Sequence, residues 1–120
     1  MKKTLVVGAS LNPDRYSNKA IKALRSSGHP VVAFGLKEGI VADVNIQKEW
    51  EFTADIDTVT MYVNPQRQVE LYDKIVDLQP KRVIFNPGTE NADFEKLLRT
   101  KGIQTEIACT LVLLSIDQYE

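Results

Sequence analysis

Short apolar runs alternate along this chain with segments whose apolar residues recur every three or four positions. Thr4-Leu5-Val6-Val7 is brief, rich in β-branched residues and closed by Gly8, the pattern of a buried strand. From about Tyr16 to Ser27, Ala20, Ile21 and Leu24 share one helical face while Lys19, Lys22 and Arg25 fall elsewhere, and Gly28 stops the helix. Val31-Val32-Ala33-Phe34 predicts a second strand, ended by Gly35. Residues 36–55 are the least regular stretch and are expected to hold one short edge strand near Val44 to Ile46.

The alternation then resumes. Thr58 to Val63 reads as a strand stopped by Asn64-Pro65, and Val69, Tyr72, Ile75 and Val76 mark an amphipathic helix that ends at Pro80. Arg82-Val83-Ile84-Phe85 predicts another strand, broken by Asn86-Pro87-Gly88; Phe94, Leu97 and Leu98 line a helix capped by Gly102, and Ile103 to Ile107 form the last strand. The tail from Thr110 to Asp117 is apolar on nearly every side. Periodicity does not separate strand from helix there, and a short packed helix is the expectation.

Strand, helix, strand at this spacing builds parallel pairs through right-handed crossovers. The expected fold is α/β: a single Rossmann-like three-layer domain over residues 1–120, with an open, mostly parallel sheet of five or six strands and helices on both faces. Ligands of such sheets lie beyond the carboxyl ends of the strands, which nominates the loops after Val7, Phe34, Val63 and Phe85.

Composition agrees with one domain and narrows the function classes. The 120 residues are 43% hydrophobic and 26% charged, enough for one core and too few for two. The apolar residues before Gly8 are too few for a signal peptide, and no apolar run is long enough to span a membrane, so a soluble, cytoplasmic protein is expected. Cys109 is the only cysteine and His29 the only histidine, which excludes an internal disulfide and a zinc-finger ligand set. The formal net charge of −1 conceals an asymmetry: residues 1–40 carry seven Lys/Arg against two Asp/Glu, whereas residues 41–120 carry eight against fourteen. That excess is too small and too poor in aromatic residues for a nucleic-acid surface. A small polyanionic ligand fits it, as does a solvated basic helix.

The loop after the first strand carries the chemistry. Gly8-Ala9-Ser10-Leu11-Asn12-Pro13-Asp14-Arg15-Tyr16-Ser17 leads into the first helix, where backbone N–H groups and the helix dipole favour an anion. Gly8 permits a tight turn, Ser10, Asn12 and Ser17 offer short polar side chains, and Arg15 can grip phosphate oxygens with a forked guanidinium. Taken singly, Asn12 or Ser17 reads as a helix cap and Arg15 as a surface cation; it is their combination at the end of the first parallel strand that points to binding. The full G-x-G-x-x-G of dinucleotide enzymes and the Lys-Ser/Thr of a P-loop are absent, so nucleotide hydrolysis has no support. After the second strand, Gly35-Leu36-Lys37-Glu38 puts a cation before the first acid, where NAD-binding sheets place a carboxylate on the ribose. Lys37 suits a phosphorylated ribose, as carried by NADP and coenzyme A, or is an exposed loop lysine.

Val7-Gly8-Ala9-Ser10, Asn12-Pro13, Arg15 and Ser17 resemble the G-A-S-x-N-P-x-R-x-S opening of the small stand-alone coenzyme-A-binding domains. These are similar to the amino-terminal domain of the succinyl-CoA synthetase alpha subunit. The resemblance continues through Val63-Asn64-Pro65, Asn86-Pro87-Gly88-Thr89-Glu90-Asn91 and Glu106 to Cys109. It implies a pocket for the adenosine and diphosphate of coenzyme A or an acyl-CoA. Gly8, Ala9 and Ser10 would lie at the diphosphate, Arg15 and Ser17 on the phosphates, and Lys37 at the ribose or 3′-phosphate, with Asn12 and Gly35 also among the binding residues. Val63, Asn64 and Pro65 would border the ligand, and Gly88 and Glu90 would lie farther along its path.

No catalytic constellation stands out. His29 falls in a helix-to-strand turn at the wrong end of the sheet, a turn or surface position; Cys109 has no general base beside it and reads as a buried small hydrophobe. Asp55 and Asp57 precede the middle strand, and Trp50 and Phe52 are expected to cover the core. The expectation is a binding protein for a nucleotide-type small molecule. An NADP-linked oxidoreductase, a nucleotide-sensing domain, a thioester-handling protein using Cys109 and an interaction subunit that has lost its ligand are the alternatives. The apolar tail and irregular edge leave room for a homo-oligomer or a protein partner.

Overall fold

Period-two alternation in the strands divides the core between the two faces of one sheet. In β1 (Thr4–Ala9), Leu5 and Val7 point to one face and Val6 to the other, and all three are fully buried. A computed structural model describes residues 1–120 and contains β1, β2 (Val31–Gly35), β3 (Gly39–Val41), β4 (Val44–Gln47), β5 (Thr58–Met61), β6 (Arg82–Phe85) and β7 (Gln104–Ile107). They form one seven-stranded sheet in the order β3-β4-β2-β1-β5-β6-β7. Every pairing is parallel except β3 with β4, which is antiparallel.

The expected Rossmann-like α/β architecture is present, with seven strands in place of five or six. The surplus comes from the irregular stretch: Gly39–Val41 and Val44–Gln47 fold as a hairpin whose turn holds Ala42 at φ 54°, and β4 joins the parallel sheet beside β2. Val44–Gln47 is the short strand expected near Val44 to Ile46, but it lies one place in from the edge; the edge is the unexpected β3, whose three residues are too short for alternation to declare a strand.

The helices are α1 (Tyr16–Ser26), α2 (Pro65–Gln68), α3 (Tyr72–Leu78), α4 (Ala92–Thr100) and α5 (Thr110–Ser115), and a 3₁₀ turn over Val69–Leu71 links α2 to α3. Leu71, Ile75 and Leu78 join Phe94 and Leu98 against Leu5, Val7, Val59, Met61, Val83 and Phe85 on one face. Ile21 and Leu24 of α1 and Tyr119 pack with Val6, Ala33, Ile46 and Ile84 on the other. The tail is the expected short helix, with Val112 left exposed. Trp50 and Phe52 pack edge-on with Phe34 and lie against the core, as their pattern implied.

The amino-terminal edge of the sheet is closed. Buried Arg82 donates through Nε to Thr58 Oγ1 at 2.8 Å and stacks on the Tyr119 ring, whose hydroxyl hydrogen-bonds Thr4 Oγ1. His29 lies in its turn as expected, but buried: its ring packs edge-on against Tyr119, and Nδ1 accepts from the Lys2 backbone N–H at 3.0 Å. Asp57 faces Lys2 and Lys81 at the same edge. These groups seal the fold, and the open end of the sheet is the opposite one.

Candidate functional site

The chain runs outward from β1 to β2 and β4, then returns to the other side of β1 to lay down β5. Connections therefore diverge at the carboxyl ends of β1 and β5, where a crevice opens in such sheets. A cleft of about 780 Å³ occupies that place. Its floor is Gly8, Ala9 and Ser10, and its sides come from the loop to α1, the end of β2, Tyr62 to Asn64, Arg67, and Pro87 to Thr89.

Glycines let the floor close up. Gly8 has φ 95°, and a Cβ there would stand 2.9 Å from the Tyr62 carbonyl carbon, so β1 and the strand-end at Tyr62 approach as only glycine allows. A Cβ on Gly35 would meet the Ala9 carbonyl oxygen at 2.4 Å. Gly35 thus holds β2 against the end of β1 and shapes the cleft from beneath.

The loop before α1 is braced from inside. Asn12 Oδ1 accepts from the Asp14 N–H at 2.9 Å, and Ser10 Oγ accepts from the Asn12 N–H at 3.1 Å, so both polar side chains rigidify the turn. Asn18, on the buried face of α1, donates from Nδ2 to the Ser10 carbonyl at 2.9 Å, while its Oδ1 is buried without a partner. Neither Asn12 nor Ser17 caps α1: Arg15 occupies the N-cap position and makes no capping side-chain bond. Asn64 and Asn91 do cap α2 and α4, through Arg67 N–H and Phe94 N–H. The first turn of α1 therefore faces the cleft without a side-chain cap.

Three cations line the cleft, Arg15, Lys37 and Arg67, and none of them forms an ion pair. No carboxylate lines it. In a chain with as many acids as this one, that segregation of charge makes the cleft an electropositive pocket.

The cleft brings together Gly8, Ala9, Ser10, Asn12, Arg15, Ser17, Gly35, Lys37, Val63, Asn64 and Gly88. Pro65 and Glu90 fall outside its lining. Pro65 opens α2, and Glu90 turns back so that Oε1 accepts the Gly88 N–H at 2.7 Å. Arg67 was legible as a cation three residues beyond a helix-capping asparagine, and Asn18 as a polar residue on the buried face of a helix; the sequence reading passed over both. Cys109 corrects another expectation: it is partly exposed, at the N-cap of α5, and not buried. Glu95 sits behind the site with Oε2 accepting the Asn91 N–H, a helix-start contact of structural character.

Comparison with known proteins fits this geometry. A solved structure described only as an uncharacterized protein is 47% identical, with a TM-score of 0.95 over 98% of each chain. A conserved hypothetical protein from Pyrococcus furiosus is 25% identical, with a TM-score of 0.77 over 88% of this chain and 92% of its own. The dinucleotide-forming acetyl-coenzyme A synthetase 1 of Ca. Korarchaeum cryptofilum, solved with phosphate and ADP, shares the fold at 15% identity, a TM-score of 0.71, 87% of this chain and 25% of its own. No curated protein matches the chain. No helix is long and apolar enough to cross a membrane. Residues 2–115 match the family of CoA binding domains, and with nearly the whole sequence inside that match the chain belongs to this family.

Proposed function

We propose that this protein binds coenzyme A or an acyl-CoA in the cleft beyond β1 and β5, with the diphosphate over Gly8 to Ser10 and the uncapped start of α1. One observation carries the reading: Arg15, Lys37 and Arg67 converge on a cleft without a carboxylate, and each lacks an ion-pair partner. Three phosphate groups on one ligand answer three free cations. Backbone N–H groups at a helix start and a forked guanidinium are the donors that phosphate oxygens take up most readily. Lys37, two residues beyond β2, lines the cleft with no acid beside it in the lining, which supports a phosphorylated ribose there over an unmodified ribose diol.

Family membership supports coenzyme A over other phosphorylated nucleotides. The role read from the cleft is the binding of a phosphorylated ligand by cations and helix-start N–H groups. NADP shares the ribose phosphate and is the competing ligand. Calorimetric titration of the purified protein with coenzyme A, dephospho-coenzyme A, NADP and NAD separates the cases. Coenzyme A is expected to bind most tightly and to lose affinity without its 3′-phosphate. A nicotinamide dinucleotide binding more tightly, or coenzyme A giving no heat, would overturn the reading.

A further inference from the structure

A second cleft, of about 420 Å³, opens beside the first and shares Tyr16, Tyr62 and Pro87 with it. Its other walls are Asn86, Cys109, Leu111 and Val112. The two chambers differ in character: three cations line the larger, whereas no Asp, Glu, Lys, Arg or His lines the smaller. Burial pushes the Tyr62 phenol up to about 12, so that wall stays neutral at ordinary pH.

The one amide in the smaller chamber is already spent. Asn86 Nδ2 donates to Thr60 Oγ1 at 2.7 Å and to the Met61 carbonyl at 2.9 Å, and Oδ1 accepts the Thr110 N–H at 2.9 Å. The other polar groups there are the Tyr16 and Tyr62 hydroxyls, the latter buried without a hydrogen-bond partner, and the Cys109 thiol; no cation is present to offset a charged group. Opposite it, Leu111 and Val112 present aliphatic side chains, and Val112 remains 52% exposed with no protein partner to cover it. The volume lies toward the lower end of small-molecule pockets, which run from roughly 300 to 1,000 Å³.

We infer that the smaller chamber receives the acyl end of a coenzyme A thioester, and that the acyl group it selects is short and uncharged. The inference rests on the coenzyme A reading of the larger cleft. A ligand with phosphates at one end and an apolar group at the other matches two connected chambers, one cationic and one neutral. A terminal carboxylate would lose its hydration in the smaller chamber and find no cation there to offset its charge.

Cys109 lines this chamber and is the chain's only cysteine, so its alkylation by iodoacetamide reports whether the chamber is filled. Adenosine 3′-phosphate 5′-diphosphate, which lacks the pantetheine arm and the acyl group, is expected to bind and leave the alkylation rate unchanged. Saturating acetyl-CoA is expected to suppress alkylation. In parallel calorimetry acetyl-CoA should bind at least about tenfold more tightly than succinyl-CoA, a difference of about 1.4 kcal/mol. Undiminished alkylation at saturating acetyl-CoA, or equal affinity for succinyl-CoA, overturns this inference and leaves the coenzyme A reading standing. Failure of all three ligands to bind overturns both.

Discussion

Asn18 Nδ2 hydrogen-bonds the Ser10 carbonyl at 2.9 Å, tying the buried face of α1 to the loop that floors the electropositive cleft. The opposite end of the same amide, Oδ1, is buried without a partner. A fold selected for stability alone would avoid that orphan acceptor. Asn18→Ala removes the tether and the orphan together, so the two terms offset each other in stability. The expected loss is no more than about 1 kcal/mol in urea denaturation, with a clear fall in coenzyme A affinity by calorimetry. Unchanged affinity would show that the loop holds its shape without Asn18.

Arg15 and Arg67 approach the cleft from different elements, the N-cap of α1 and α2, and neither has an acid to release. Each Ala variant is expected to weaken coenzyme A binding by roughly 1 to 3 kcal/mol, with little change in Tm. Titration at rising salt checks the cause, because the loss should shrink as screening grows.

Lys37 is the residue that should read the 3′-phosphate. In Lys37→Ala the affinity gap between coenzyme A and dephospho-coenzyme A is expected to narrow, measured by parallel titrations. A gap of the original size would assign that phosphate to another donor.

Gly35 tests the geometry beneath the site. A Cβ there would sit 2.4 Å from the Ala9 carbonyl oxygen and 2.9 Å from Ile46 Cγ2. Backbone cannot yield as a flexible side chain can. Gly35→Ala is expected to destabilise the protein by about 1 to 3 kcal/mol, the usual range for overpacking. By contrast, nothing lies within 4 Å of a Cβ on Gly88, and Gly88→Ala should cost only about 1 to 2 kcal/mol for its positive φ of 91°. Chemical denaturation of the two variants checks the order.

His29 sets a pH dependence. Burial lowers its pKa below the ordinary 6.5, and the neutral ring accepts the Lys2 N–H through Nδ1. The unfolded chain therefore binds the proton more readily than the folded one, and its contribution to stability is complete above about pH 6.5. That contribution is lost as pH falls through the lowered folded value. Thermal unfolding between pH 8 and pH 5 should show the decline, and His29→Asn, which keeps an acceptor but does not titrate, should flatten it.

The longer strands and the helices declared themselves through local pattern. Two- and three-to-four-residue periodicities are properties of neighbouring positions, and Gly28, Asn64-Pro65, Pro80 and Gly102 mark their ends. The short strand at Val44 to Ile46 was legible too, as β4, but β3 was not, because a strand of three residues draws its stability from a partner's hydrogen bonds. The Gly8 to Ser17 loop was legible for a related reason: its place after the first parallel strand puts it at the ligand end of the sheet whatever the rest of the chain does.

What the sequence by itself determined is thus the alternation of strands and helices, the parallel sheet it implies, and the loop most fit for an anion. Only the tertiary structure decided that Arg67 joins Arg15 and Lys37 across the cleft, that Glu90 turns onto the Gly88 amide, and that Cys109 and Val112 meet Tyr62 around a second, uncharged chamber. Apart from the local Gly88–Glu90 turn, each set draws on residues far apart along the chain that no local propensity relates. Sheet order and the placement of α2 after β5 and α5 after β7 bring them together, and these are settled by burial and register over the whole fold.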